Sequence, residues 1–229
     1  MSQNLLKRII TSIILLLLLL FINFSHQYIF IISILIIGTI ICIEANNLFS
    51  KYFIINYSVK KYYLDKFNVK FLIFNIVTFF YIFFIFCYLS YEIHKFHGSV
   101  FFLYIISICF FTDIGGYIFG KIIGGKKLSK ISPNKTISGT VGSFLLSFVP
   151  LILVSNFDYL DLKFNLINTV FCLSISLTSQ LGDLFVSFMK RQAKIKDTGN
   201  LLPGHGGFLD RLDGIIFAVP FSYILIKLF

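Results

Sequence analysis

The stretch Val100–Ile123 reads VFFLYIISICFFTDIGGYIFGKII, with one acid, Asp113, and one base, Lys121. As an α-helix, this length of chain covers about 36 Å, enough to cross a hydrocarbon core of about 30 Å. It is too long for a core strand and lacks the polar–apolar alternation of a barrel strand, so it reads as a membrane-spanning helix. Similar blocks lie on either side of it. They are Ile9–Phe24, Tyr28–Ile43, Phe71–Leu89, Val141–Val154, Leu166–Met189 and Ile215–Phe229, and several fall short of the roughly 20 residues of a comfortable span. The expectation is an all-α polytopic membrane protein with about seven transmembrane helices, six to nine being admissible.

Composition agrees. Of the 229 residues, 57% are hydrophobic, 18% aromatic and only 13% charged, and the mean hydropathy is +0.89. An ordinary soluble domain carries about 25% charged residues, so a water-soluble globule is excluded. Cys42, Cys87, Cys109 and Cys172 stand singly in apolar blocks without a CxxC pair, and are read as small hydrophobes. The length allows a single integral membrane domain over 1–229, with N-terminal helices to residue 98 and a second half from residue 99. Lys7 and Arg8 before the first apolar block suggest a secretory signal, but no small-residue cleavage site follows. The block is read as a retained helix.

The net charge of +10 raises the question of nucleic acid. With the N-terminus cytoplasmic, the inner segments 1–8, 44–70, 120–140 and 190–214 carry 2, 5, 5 and 5 of the 20 Lys and Arg residues. Only Lys95, Lys163 and Lys227 fall outside them. This is the positive-inside pattern, which accounts for the basicity without nucleic acid and leaves anionic membrane lipids as partners of the inner loops.

Ionisable residues inside lipid are costly and mark function. Asp113 is one, followed by Gly116, Gly120 and Gly124, a spacing of small residues that lets another helix approach closely. Ser176, Gln180, Asp183, Ser187 and Lys190 step by four and three, which stacks them on one helix face. A structural alternative makes this a polar seam, with Asp183 neutralised by Lys190. The following loop, through Lys196-Asp197 and Pro203-Gly204-His205-Gly206-Gly207 to Asp210-Arg211-Leu212-Asp213, is too rich in Gly, Pro and paired charges for a connector. If a helix has begun there, Asp210 and Asp213 point the same way, and hard oxygen ligands on one face suit Mg²⁺. Gly204, Gly206 and Gly207 offer backbone N–H groups to phosphate, and Lys190, Arg191 and Arg211 offer charge-assisted bonds. Together these read as metal-assisted chemistry on a polyphosphate. His205 is a positioning donor as readily as a base, and no Ser or Cys nucleophile sits beside it. The basic loop 121–142 lacks the order of a Walker loop and taken alone is a solvated face.

The ordered run Ser187-x-x-Lys190-Arg191, Lys196-Asp197, Pro203-Gly204-His205-Gly206-Gly207, Asp210-Arg211-x-Asp213 resembles the signature of phosphatidate cytidylyltransferases, the CDP-diacylglycerol synthases. Upstream, Asp113-x-Gly115-Gly116-Tyr117-x-x-Gly120-Lys121 and Ser132-Pro133-Asn134-Lys135-Thr136 are similar to two further elements of that family. The resemblance covers roughly Asp113 to Pro220. Where the family commonly continues Ser-Pro-Lys-Lys-Thr-Trp-Glu-Gly, this chain has Asn134, Ile137 and Ser138, losing one base and one acid.

The resemblance implies transfer of CMP from CTP to phosphatidate in phospholipid biosynthesis. It assigns Asp183, Lys190, Asp210 and Asp213 to catalysis, and Asp183, Asp210 and Asp213 to Mg²⁺, with a second cation admissible. Ser187, Arg191, Lys196, His205, Gly206, Gly207, Arg211, Ser132, Lys135, Thr136 and Asp113 fall to substrate binding. CTP, phosphatidate and membrane lipids are the partners, a homodimer is left open, and the place is a bacterial inner membrane with the N-terminus and active site cytoplasmic. Two rivals remain. A CTP-using polyprenol or phytol kinase would transfer the γ-phosphoryl group, and a transporter would carry a matching polar constellation in its other half.

Overall fold

The computed structural model describes residues 3–56, 69–128, 135–156, 162–204 and 206–228. Nine α-helices account for most of them: α1 Gln3–Phe24, α2 Gln27–Asn56, α3 Val69–Phe80, α4 Tyr88–Ile122, α5 Ile137–Leu146, α6 Val149–Asn156, α7 Leu166–Gln192, α8 Leu209–Leu212 and α9 Ile215–Leu228. A π-helical segment, Tyr81–Cys87, joins α3 to α4. Among the described residues there is no strand, only two isolated bridges, Lys127 with Thr136 and Leu202 with Gly206. The all-α expectation therefore holds.

Five helices are long and apolar enough to cross a membrane: Lys7–Phe24, Gln27–Ile55, Val69–Ile122, Ile137–Asn156 and Leu166–Gln192. The sequence blocks suggest about seven, and two local features account for the difference. The third of these spans is 54 residues long, or about 81 Å of helix, far beyond one hydrocarbon thickness. It contains two sequence blocks, and Gly98 at φ 84°, ψ 166° interrupts the helical backbone between them. The last block forms α9, whose 14 residues reach only about 21 Å. Large apolar side chains on the outer faces, among them Leu17, Phe21, Ile32, Val77 and Phe84, are more than half exposed, as lipid-facing helices require.

The chain forms two compact units, each discontinuous: Met1–Tyr91 with Phe188–Leu212, and Glu92–Ser187 with Asp213–Phe229. In the first, α2 packs against α3 and the π-helical segment through Phe49, Phe53, Phe71 and Phe74, with ring centroids 5.3–5.9 Å apart. Gly38 makes room for Cys87, whose Sγ would lie 2.8 Å from a Cβ at that position. The N-terminal helices thus share a unit with most of the signature loop.

In the second unit, small residues bring α4 and α5 backbone to backbone. A Cβ on Gly115 would lie 2.8 Å from the carbonyl carbon of Gly142, and one on Gly116 would lie 2.8 Å from Ser143 Oγ. Gly120 faces Thr136 and Gly139. The expected small-residue stripe is therefore real for Gly116 and Gly120. Gly124 does not belong to it: α4 has ended, φ is +64° and nothing lies within 4 Å, so this glycine serves a turn. Deeper in this unit, Thr112 Oγ1 donates to Ser176 Oγ at 2.9 Å, and the Tyr104 hydroxyl lies 3.0 Å from Cys172 Sγ.

Candidate active site

The first cluster forms on α7. Gln180 Nε2 donates to Ser176 Oγ at 3.3 Å and Ser187 Oγ donates to Asp183 Oδ1 at 3.2 Å, as residues on one helix face must. Gly182 lets the chain after Leu212 come close: its Cβ would lie 2.6 Å from Phe217 Cδ2 and 2.8 Å from the Asp213 carbonyl. The Asp213 and Asp183 carboxyls are consequently close enough to interact. Asp213 is 9% exposed and its Oδ1 accepts from the Gly214 N–H at 3.0 Å. The cation on Asp183 is Lys135, which pairs with Oδ2 from just before α5. Lys190, the partner a polar-seam reading supplies, is instead paired with Asp210. Two adjacent carboxylates resist simultaneous ionisation unless positive charge is placed on them. Lys135 supplies one such charge, and hard oxygens that are 27% exposed at Asp183 fit a divalent ion sharing its shell with substrate phosphates. Among the described residues no three His, Cys, Asp or Glu side chains gather closely enough to hold a metal by themselves.

The second cluster lies in the other unit and centres on Asp210, on the four-residue α8. Lys190 Nζ donates to Asp210 Oδ1 at 2.8 Å. Asp210 Oδ2 accepts from the N–H groups of Thr198 and Gly207 at 2.8 and 2.9 Å, and the Thr198 hydroxyl lies 3.0 Å away. Burial alone would raise the Asp210 carboxyl, but the bonds from Lys190, Gly207 and Thr198 more than offset it and hold it below its ordinary 3.8. The helix spans only Leu209–Leu212, and Asp213 follows its last residue. The N–H of Gly207 is spent on Asp210, and that of Gly206 donates to the Leu202 carbonyl at 3.2 Å. Both donors expected for phosphate at these positions are thus satisfied within the loop. Gly204 and Gly206 adopt φ +78° and +85°, which explains glycine there by backbone conformation.

Two residues of this unit escape a reading of the sequence. Arg8 of α1 joins Lys196, Asp197, Asn200 and Arg211 around a polar cavity of about 580 Å³. Its Cγ would lie 3.0 Å from a Cβ on Gly204. Glu44 of α2, 3% exposed, accepts from the N–H groups of Phe208 and Leu209. Arg8 shows in the sequence as basic charge before the first apolar block, and Glu44 as an acid at the end of an apolar block.

Of the other expected residues, Ser132 and His205 lie outside the described residues. Thr136 is the N-cap of α5, its hydroxyl accepting from the Gly139 N–H at 3.1 Å. Ser138, which replaces the family's acid, donates to the Gly124 carbonyl and lies 3.0 Å from the Thr136 hydroxyl. Asp113 and Arg191 are exposed on their helices.

Residues 48–229 match the cytidylyltransferase family. The chain belongs to that family. Its relatives include proteins named phosphatidate cytidylyltransferase from Bacillus subtilis (39% identical over 134 residues, 58% of this chain and 49% of the relative) and Staphylococcus haemolyticus (42% over 132 residues, 56% and 50%). Another comes from Staphylococcus aureus (44% over 131 residues, 56% and 50%). The chain spans about half the length of the curated relatives it matches.

Proposed function

We propose that this chain transfers CMP from CTP to phosphatidate, giving CDP-diacylglycerol and pyrophosphate, at the cytoplasmic face of a bacterial membrane. The observation that carries this reading is the Asp183–Asp213 pair with Lys135 on one of its members. The phosphate of phosphatidate is largely ionised near neutral pH, as other phosphate monoesters with a second pKa near 6 are, and needs no strong base. The barrier is the approach of two anions, so the protein must neutralise charge and align attack on the α-phosphorus. Mg²⁺ held by Asp183 and Asp213 would supply neutralisation of the triphosphate and of the departing pyrophosphate. Lys135 keeps the acid pair compatible with ionisation, and Ser187 orients the Asp183 carboxylate. Lys190 and Arg191 bind phosphate, with Lys190 aimed by Asp210. Asp210 was expected among the metal ligands, but its oxygens already accept from its own loop and from Lys190. Arg8, Lys196 and Arg211 give the polar cavity a positive wall for an anionic group.

The deciding experiment places label in CTP. With purified protein, Mg²⁺ and phosphatidate, α-label must enter lipid and γ-label must leave in pyrophosphate. A lipid kinase does the reverse, and lipid carrying γ-label without cytidine refutes the proposal.

A further inference from the structure

Glu44 sits at the end of a long apolar stretch of α2, yet its carboxylate is nearly inaccessible to solvent. Its partners lie 154 to 165 residues later in the chain. Oε2 accepts the Leu209 N–H at 2.8 Å, Oε1 accepts the Phe208 N–H at 3.1 Å, and the Thr198 hydroxyl lies 3.0 Å from Oε2. That hydroxyl lies at the same distance from Asp210 Oδ2, and it has one proton to give to either acid. Glycines 199 and 207 are shaped around the same carboxylate. A Cβ on Gly199 would lie 2.6 Å from Glu44 Oε1, and one on Gly207 would collide with Oε2. Neither glycine has a positive φ, so what they provide is space for Glu44.

We infer that Glu44 is a positioning residue: through Thr198 and the Phe208 and Leu209 amides it fixes Asp210, and through Asp210 the ammonium of Lys190. The inference rests on the proposed function only for what Lys190 then does to substrate. The geometry of the relay, from α2 to the loop to the Lys190–Asp210 pair at 2.8 Å, stands apart from it. Partners that orient a functional group commonly matter 10- to 100-fold for activity.

Glu44→Gln keeps the size of the side chain but turns one acceptor into a donor facing donors. In the purified, folded variant, Lys190 should react at least about threefold faster with an amine-specific acylating reagent, read by peptide mass spectrometry, while Lys163 and Lys227 react unchanged. A globally loosened protein would raise all three. The kcat of cytidylyl transfer should fall about tenfold or more, and Glu44→Gln combined with Asp210→Asn should be no slower than Asp210→Asn alone, since both act on one element. Should Glu44→Gln fail to fold, Thr198→Val removes only the shared hydroxyl and should raise Lys190 labelling in the same sense. Lys190 labelling equal to wild type in a folded variant overturns the inference whether or not the protein uses CTP. Raised labelling in a protein inert toward CTP and phosphatidate upholds the relay and removes the proposed reaction.

Discussion

Gly115→Ala is a test of how the active site is assembled from packing. A Cβ at Gly115 would collide with the Gly142 carbonyl oxygen and would lie 2.8 Å from its carbon and 3.0 Å from Ser143 Cα, and ordinary contact begins at 3.4 Å. The atoms in the way are backbone, so no rotamer relieves them, and α4 and α5 must part by at least the difference, about 0.6 Å. Overpacking of this kind costs about 1–3 kcal/mol. The displaced helix begins two residues after Lys135, whose ammonium pairs with Asp183. Misplacement by about 1 Å is worth about 100-fold in rate, so 0.6 Å scales to roughly tenfold or more in kcat. Gly124→Ala is the control: nothing lies within 4 Å, and its cost is the conformational strain of φ +64°, about 1–2 kcal/mol confined to a turn. The assay pairs thermal melting in detergent with initial rates of α-label transfer. Gly115→Ala with wild-type melting and rate would show that the helices separate without moving Lys135, and would refute the reasoning.

Three further outcomes are expected. Asp213→Asn should lower kcat by about 10³-fold with normal membrane insertion, because a metal contact made in the transition state is worth several kcal/mol at about 1.4 kcal/mol per tenfold; a folded variant retaining most of its rate at ordinary Mg²⁺ counts against the ligand assignment. Arg8→Gln should raise KM for CTP or phosphatidate several-fold with kcat less affected, and titrating each substrate separately shows which anion uses the cavity. Asp210 has its folded carboxyl held below 3.8, so its contribution to stability is present above that value and lost as pH falls through the folded pKa. The stability gap between wild type and Asp210→Asn should therefore be flat from about pH 5 to 8 and close below about pH 4, which melting curves across pH will show.

The helical class, the order of the helices and the polar face of α7 are legible in the sequence because each depends on local periodicity. Gly116 and Gly120 are legible as a packing stripe for the same reason. What is not legible depends on partners brought from far along the chain. Asp183 has Lys190 two turns away on its own helix, but only the fold selects Lys135. Asp210 reads as a metal ligand beside Asp213 until the fold brings Lys190, Thr198 and Gly207 onto its oxygens. Gly206 and Gly207 look like phosphate donors because their own acceptors, Leu202 and Asp210, cannot be seen in composition. The Glu44 carboxylate is separated from Thr198, Phe208 and Leu209 by more than 150 residues. The break at Gly98 within the 54-residue apolar stretch falls between two blocks that the sequence already separates.

The 154 residues between Glu44 and Thr198 also set a clock on biogenesis. At 5–20 residues per second, a ribosome needs roughly 8 to 30 s to deliver Thr198 after Glu44 has been made. Throughout that interval α2 carries an acid whose eventual donors do not yet exist, and lipid offers none. The length of α2 resolves the difficulty. Glu44 lies 17 residues beyond Gln27 in a helix of 30, about 26 Å along an axis of about 45 Å. A newly inserted α2 can hold the carboxylate near the aqueous boundary, where water stands in for the missing partners. Docking of the loop would then bring the Thr198, Phe208 and Leu209 donors to it, so completion of the loop would follow insertion of α2.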